Sequence, residues 1–285
     1  MEVYKEGGIT NLVGRSLCFA GDSITNNSNS KKEVIKNYSS DRKYLNIGGG
    51  DFVKEDWRVL DYYTDWYDYD PMFIDYDIDL KKKSQWPIDT GDFNLVYSSH
   101  TLEHLTDAAV EHTLQEAYRI LSPGGTIRIN VPDLSIAIRA YEQDSVEWFE
   151  NVWLENYTDN VYFAENKCPG YELEFYLLSF FATYLARIRH PGTNFQRVRK
   201  DWKKNEMEAF LDKYSNKIHD EWQAEYPGWH RNWFTADKLK QQLSSVGFTN
   251  TIETGCRQSR IPEMCKSEFD KRPHISVFVE AEKPT

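Results

Sequence analysis

Two glycines, Gly48 and Gly50, stand in Lys43-Tyr-Leu-Asn-Ile-Gly-Gly-Gly-Asp51, directly after an apolar run. A G-x-G turn at a strand end lets backbone amides approach a ligand closely. The dinucleotide fingerprint asks for a third glycine at position 53, which is Val53, so NAD and FAD are disfavoured. A ligand carrying a ribose needs a carboxylate for its hydroxyls. Asp61, after Trp57-Arg-Val-Leu60, is the candidate, with Asp68 and Asp70 as alternatives in a segment crowded with aspartates. Asp61 follows Gly50 by only eleven residues, against ~20 in the dinucleotide pattern, so a truncated first helix is expected. His100 and His104, in Ser98-Ser-His-Thr-Leu-Glu-His-Leu105, are candidate general bases on a hydroxyl or protonated amine. The competing role for His104 is capping or packing at a helix start. Arg187, Arg189, His190, Arg197, Arg199, Lys200, Lys203 and Lys204 form a local basic cluster. It is either a solvated helix face or a grip on an anionic acceptor.

The elements that must hold these residues follow from periodicity. Lys43–Ile47, Trp57–Leu60, Phe93–Tyr97 and Thr126–Val131 read as buried strands, the last alternating Ile127, Ile129 and Val131. Between the last two, Val110, Leu114, Ala117, Tyr118 and Leu121 recur at helical spacing, so 108–121 is a helix that Pro123-Gly-Gly125 stops. A second amphipathic helix runs from the N-cap Thr235 to Val246, closed by Gly247. Phe248–Glu253 and Ile275–Ala281 read as closing antiparallel strands. Residues 1–40 read as an irregular lead-in with a strand at Ser16–Ala20 and a short helix at Lys31–Asn37. Residues 41–144 and 233–285 make one α/β domain with a doubly wound sheet. Residues 145–232, aromatic-rich and without strand pattern, read as a helical insertion covering the acceptor site.

Composition narrows the function classes. The chain has 285 residues, 40% of them hydrophobic, enough for a substantial core. A net charge of −11, from 34 basic and 45 acidic residues, argues against a broad grip on nucleic acid. Cys18, Cys168, Cys256 and Cys265 are far apart with no CxxC pair, which suits reduced thiols in a cytoplasmic protein rather than a disulfide frame or zinc site. The start, Met1-Glu-Val-Tyr-Lys-Glu6, lacks a basic region followed by an apolar run, so no signal peptide is expected. The longest apolar stretch, 175–186, falls short of the ~20 residues that cross a bilayer, so membrane insertion is not expected.

Taken in order, Asp79-Leu80, Trp86-Pro-Ile-Asp89, the run Asp92–Leu105 and Glu116-Ala-Tyr-Arg-Ile-Leu-Ser-Pro-Gly-Gly125 resemble class I S-adenosylmethionine-dependent methyltransferases. The branch is the small-molecule one, with Val131-Pro-Asp133 after the fifth strand, often found alongside surface-polysaccharide genes. The resemblance covers Lys43–Leu134 well and the tail after Trp233 in style; 145–232 matches nothing nameable. It implies a seven-stranded-type sheet with S-adenosylmethionine as cofactor. Gly48 and Gly50 would lie under the methionine part, Asp61 at the ribose, and Asp79-Leu80 at the adenine edge. Ser98 would line the amino-acid end. Two departures stand out: Asn46 occupies a position where an acid is common, and Gly49 replaces a usual small Cys or Ala. No Asn/Asp-Pro-Pro-Tyr segment follows the fourth strand, so exocyclic-amine methylation of nucleic acid is not implied. The implied reaction is direct in-line transfer to a small-molecule acceptor, a sugar or nucleotide-sugar being the branch's suggestion, with no metal required. Arg187, Arg189 and Arg197 are the acceptor candidates. The rivals are a cofactor-binding relative without activity and a nucleotide-sugar or dinucleotide enzyme on the same fold. Gly21-Asp-Ser23 resembles the first block of Gly-Asp-Ser esterases, but the Asp-x-x-His that family needs near its C-terminus is missing.

Overall fold

A strand that ends in glycines needs neighbours on both sides, and β1 (Tyr44–Ile47) has two. It pairs in parallel with β2 (Trp57–Asp61), and β3 (Tyr76–Asp77) extends β2 in parallel. On its other side it pairs in parallel with β4 (Phe93–Ser99). With β5 (Leu121–Pro132), β6 (Thr249–Thr254) and β7 (Ser276–Glu282), the strands form one sheet in the order β3-β2-β1-β4-β5-β7-β6. All pairings are parallel except those of β7, antiparallel to both β5 and β6. The chain reverses its winding between β1 and β4, and in such sheets ligands bind beyond the strands' carboxyl ends at that point. The computed structural model describes residues 43–64, 70–153, 172–186, 193–270 and 272–285.

The sheet's two faces are covered differently. On one, Leu45, Ile47, Val96, Ile127, Ile129, Val131, Val277 and Val279 pack against α1 (Asp107–Ile120) and a helix near the C-terminus, Ala236–Val246. Each large aliphatic side chain buried this way contributes roughly 1.5–3 kcal/mol. Thr106 caps α1 by accepting from Ala109 N, and Thr235 caps the later helix by accepting from Lys238 N. Gly247, at φ 113°, ends that helix in the left-handed region. On the opposite face Trp57, Leu95, Tyr97, Met264 and Phe269 form a small aromatic cluster. Beside it Arg128, fully buried, donates to Asp270 and to Glu280 Oε1 (2.7 Å).

Between α2 (Leu134–Glu142) and the Ala236–Val246 helix the described elements are all helical. A helical turn over 146–153 precedes α3 (Leu173–Phe181), α4 (Phe195–Trp202), α5 (Met207–Ser215) and α6 (Asp220–Glu225), so Ala236–Val246 is α7. These helices share a second apolar cluster with Ala137 and Tyr141 of α2 and with Trp233 and Ile275. All of α3 from Glu174 to Phe181 is buried, as expected for a helix apolar on every side. Its one charge, Glu174, accepts from Tyr141 Oη (2.7 Å) and from Arg199 Nε (2.6 Å) and Nη2 (2.9 Å).

Several boundaries move for physical reasons. The connection from β1 to β2 holds no helix at all, only turns, so the truncation expected from the Gly50–Asp61 spacing is complete. Pro123-Gly-Gly125 does more than stop α1. It bulges out of β5, with Gly124 N on Lys283 O and Lys283 N on Gly125 O (both 2.9 Å), so β5 begins at Leu121 rather than Thr126. β3 has two residues, too few for periodicity to reveal. Helix α2 was not anticipated either, although Asp133 caps it by accepting from Ser135 N at 2.9 Å. The strand expected at Ser16–Ala20, the helix at Lys31–Asn37, the Gly21-Asp-Ser23 block, Cys18 and Cys168 lie outside the described residues. Cys256 and Cys265 are free thiols. Among the described residues no helix is long and apolar enough to cross a membrane.

Candidate functional site

Parallel pairing of β1 and β2 sets Ile47 beside Leu60, which brings the glycine turn and Asp61 to the same sheet edge. Gly48 N donates to Leu60 O (2.7 Å) and Gly50 N to Asp61 Oδ2 (2.7 Å). The other carboxylate oxygen accepts from Tyr62 N at 2.7 Å. The carboxylate expected at the ribose is thus clasped to the turn expected under the ligand. Gly48 (φ 72°) and Gly50 (φ 56°) both occupy the left-handed region. A Cβ at Gly48 would lie 2.1 Å from Thr101 Oγ1, so the turn also packs against the loop leaving β4. A Cβ at Gly49 would stand 3.0 Å from Asn46 Cγ and Val59 Cγ1, tight enough to explain a glycine where Cys or Ala is usual.

The other expected cofactor residues divide. Asn46 is buried beneath the turn, its Oδ1 without a hydrogen-bond partner. Ser98 is buried and donates to Ile47 O (3.2 Å), so its hydroxyl serves the β1–β4 junction. Asp79 caps the short helical turn Leu80–Lys82, accepting from Lys81 N (3.1 Å), with Leu80 buried. Asp70 caps another such turn at Pro71–Phe73, which occupies it locally, and Asp68 lies outside the described residues. Asp77, not singled out in the sequence, accepts from Tyr63 N (3.1 Å) and ties the β3 end to the loop after β2.

Both candidate bases sit past β4, and both are engaged. His100 adopts φ 51°, a left-handed conformation uncommon for a side-chain-bearing residue. Its Nδ1 lies 3.1 Å from Glu103 Oε1 and its Nε2 2.9 Å from Ser276 Oγ. His104 lies in the turn Leu102–His104, before the N-cap Thr106, so it does not cap α1. Its Nδ1 faces Trp229 O (3.2 Å) and its Nε2 faces Glu103 Oε1 (3.9 Å). A third imidazole, His230, places Nδ1 2.7 Å from Phe180 O and Nε2 3.9 Å from the same Glu103 oxygen. Burial pulls His100 and His230 below the usual imidazole range, His230 to about 3. Burial by itself would push the Glu103 carboxyl up; His100, His104 and His230 together outweigh this and hold it below the usual range.

The described members of the basic cluster differ in what they bind. Arg199 spends its guanidinium on Glu174, whereas Arg197 is exposed on α4 and its backbone N is capped by Asn194 Oδ1 (2.9 Å). Arg187, Arg189 and His190 lie outside the described residues. Sequence reasoning missed Thr101, Glu103 and His230. Glu103 carried a readable signal, an acid flanked by Leu102 and, past His104, Leu105; His230 carried none, because only the tertiary fold brings it near.

A family model described as a methyltransferase domain matches residues 25–167, half of the chain. The chain belongs to this family. Three solved structures to which the methyltransferase is similar give the scale of the likeness. The first is an S-adenosylmethionine-dependent methyltransferase from Archaeoglobus fulgidus, at 12% identity and TM-score 0.40, covering 89% of this chain and 91% of that one. Human N-acetylserotonin methyltransferase, solved in complex with S-adenosylmethionine, gives 14% and 0.39, covering 90% and 52%. The CurJ carbon methyltransferase gives 11% and 0.37, covering 88% and 51%. The methyltransferase chain therefore spans about half the length of the latter two. No curated protein matches it.

Proposed function

We propose that this methyltransferase moves a methyl group from S-adenosylmethionine to a small anionic acceptor, a sugar or nucleotide-sugar. The observation that carries the reading is the clasp between Asp61 and the Gly50 amide at the carboxyl edge of the sheet, beside the β1–β4 switch point. The residues there fit the donor. Gly48, Gly49 and Gly50 put no side chain of their own where the methionine end would lie, and Asn46 Oδ1 lies orphaned beneath them. Asp61 presents an acceptor for ribose hydroxyls, and Asp79-Leu80 offers a carboxylate beside a buried aliphatic at the adenine side. Ser98 supports the turn from below through Ile47 O. When bound, the donor supplies an activated methyl on a sulfonium, transferred by in-line displacement. The chain's part is proximity and orientation. An acidic rim suits the sulfonium. Both nitrogens of His100 and of His104 face protein atoms, so neither is assigned proton transfer. Residues 145–232 act as the acceptor-side lid, with Arg187, Arg189 and Arg197 recognising the acceptor's negative charge.

The test is calorimetric titration of the full chain with S-adenosylhomocysteine, the demethylated donor. Asp61→Ala should weaken binding by at least ~10-fold, since losing a hydrogen bond to a charged acceptor costs ~1.5–3 kcal/mol. If the wild type binds NAD or a nucleotide-sugar and not S-adenosylhomocysteine, the reading is wrong.

A further inference from the structure

The turn between β4 and α1 carries a feature that methyl transfer does not use. Glu103 is buried, its side chain 1% exposed, yet neither of its oxygens meets a hydrogen-bond donor in good geometry. A buried carboxylate that meets only imidazoles, none in hydrogen-bond geometry, is costly to keep charged. The backbone holds it there firmly: Glu103 O accepts from Arg231 N (2.9 Å) and Asn232 N (3.1 Å), which fixes the turn against the segment carrying His230.

The two imidazoles beside it are oriented by carbonyls. A carbonyl oxygen only accepts, so Trp229 O selects the Nδ1–H form of His104, and Phe180 O that of His230. In the neutral rings this puts the Nε2 lone pair of each toward Glu103 Oε1, both at 3.9 Å. One ligand atom from each residue lies within 4.8 Å of the others. In that tautomeric form three electron-pair donors converge. Carbonyls or carboxylates bonded to the far nitrogen of a histidine are the usual outer support of metal-ligating histidines. His104 and His230 are themselves ring neighbours at 5.1 Å and 72°.

We propose that Glu103, His104 and His230 form a binding site for one divalent transition-metal ion, zinc by ligand type. Two imidazole nitrogens and one carboxylate oxygen make a donor set that zinc takes with a fourth position left to water or substrate oxygen. Zinc–ligand bonds of ~2.0–2.1 Å set tetrahedral ligands about 3.3 Å apart. The 3.9 Å separations must then close by about half an ångström, within reach of side-chain rotation. Magnesium, which prefers octahedral oxygen, fits poorly. His100, 3.1 Å from the same carboxylate oxygen, neighbours the site without being counted as a ligand. The expectation of no metal, drawn from the sequence, came from the in-line chemistry and the scattered cysteines; His230 joins the cluster only through the fold. The site adds a function to the chain and does not rest on the identity of the methyl donor.

The test uses the full chain, stripped with a chelator and titrated with Co²⁺, which reports ligand type by its visible spectrum. One equivalent should give tetrahedral bands from nitrogen and oxygen ligands, bleached by zinc. Glu103→Gln, His104→Ala and His230→Ala should each weaken binding by more than the roughly 10–100-fold typical of outer-support changes. Circular dichroism and S-adenosylhomocysteine titration show whether each variant still folds, and separate loss of this site from failure of the donor reading. Should all three variants unfold, the wild-type spectrum decides. Absent bands, thiolate charge-transfer bands that move the metal to cysteine, or unchanged affinity in a folded variant would each overturn the site.

Discussion

Gly48→Ala tests whether the glycine turn is held in its shape by the loop after β4. The cost has two parts. A side chain at φ 72° enters the left-handed region, which costs roughly 1–2 kcal/mol. The new Cβ would also stand 2.1 Å from Thr101 Oγ1, 2.6 Å from Cγ2 and 2.8 Å from Cβ. Rotating Thr101 removes the first two clashes but not the third, and it gives up hydroxyl contacts to Ile47 O (3.3 Å) and Ser99 O (3.2 Å). Those are worth about 0.5–1.5 kcal/mol. The sum is roughly 1.5–3.5 kcal/mol, read as a lower urea midpoint at unchanged slope. Thr101→Gly in the same chain clears the space but leaves the backbone strain. The double variant should therefore cost little more than Gly48→Ala alone, a coupling of about 0.5–1.5 kcal/mol. A single variant within ~0.5 kcal/mol of wild type, the range of ordinary surface changes, would refute the argument. So would strictly additive losses.

Three further outcomes follow from the charges. Arg128→Gln removes the cation between two buried carboxylates, Asp270 and Glu280, and should cost ~3–5 kcal/mol in urea unfolding. Arg199→Gln strands Glu174, but Arg199 is half exposed, so about 1–2 kcal/mol is expected after allowing for solvent screening. Burial pushes the Glu174 carboxyl up, but Arg199 and Tyr141 bring it below 4.5 on balance. Its contribution is therefore complete above that pH and lost as pH falls through the lower folded value; a penalty that grows on acidification would contradict the pairing. Replacing Arg187, Arg189 and Arg197 together by Gln should raise the acceptor's Michaelis constant, with salt mimicking the effect and S-adenosylhomocysteine affinity unchanged. Normal acceptor binding would leave the basic cluster as a solvated face.

The parts legible in sequence are those whose signal is local. β1, β2 and β4 announced themselves by apolar runs, α1 by Val110, Leu114 and Ala117, and α7 by Thr235 and Gly247 at its ends. Asp61 stood out as an acid directly after a strand, while its bond to the Gly50 amide could be seen only in the fold. What stayed hidden depends on distant residues. Gly48 looked like a ligand cradle; what could not be read is its packing against Thr101, whose side chain fills the place of its missing Cβ. Arg199 looked like part of an acceptor patch until Glu174, in another helix, claimed it. His104 looked like a base because a single imidazole past a strand suggests proton transfer, and the orientation that Trp229 O imposes can be seen only in three dimensions. These cases meet in one turn. Thr101 touches the glycine loop, Glu103 and His104 face His230, and the Glu103 carbonyl holds Arg231 and Asn232. The short segment from Ser99 to Leu105 thus joins the donor edge of the sheet to the segment entering α7. A shift there would be felt at Gly48 and at His230 together, which is why the two sites have to be tested by separate ligands.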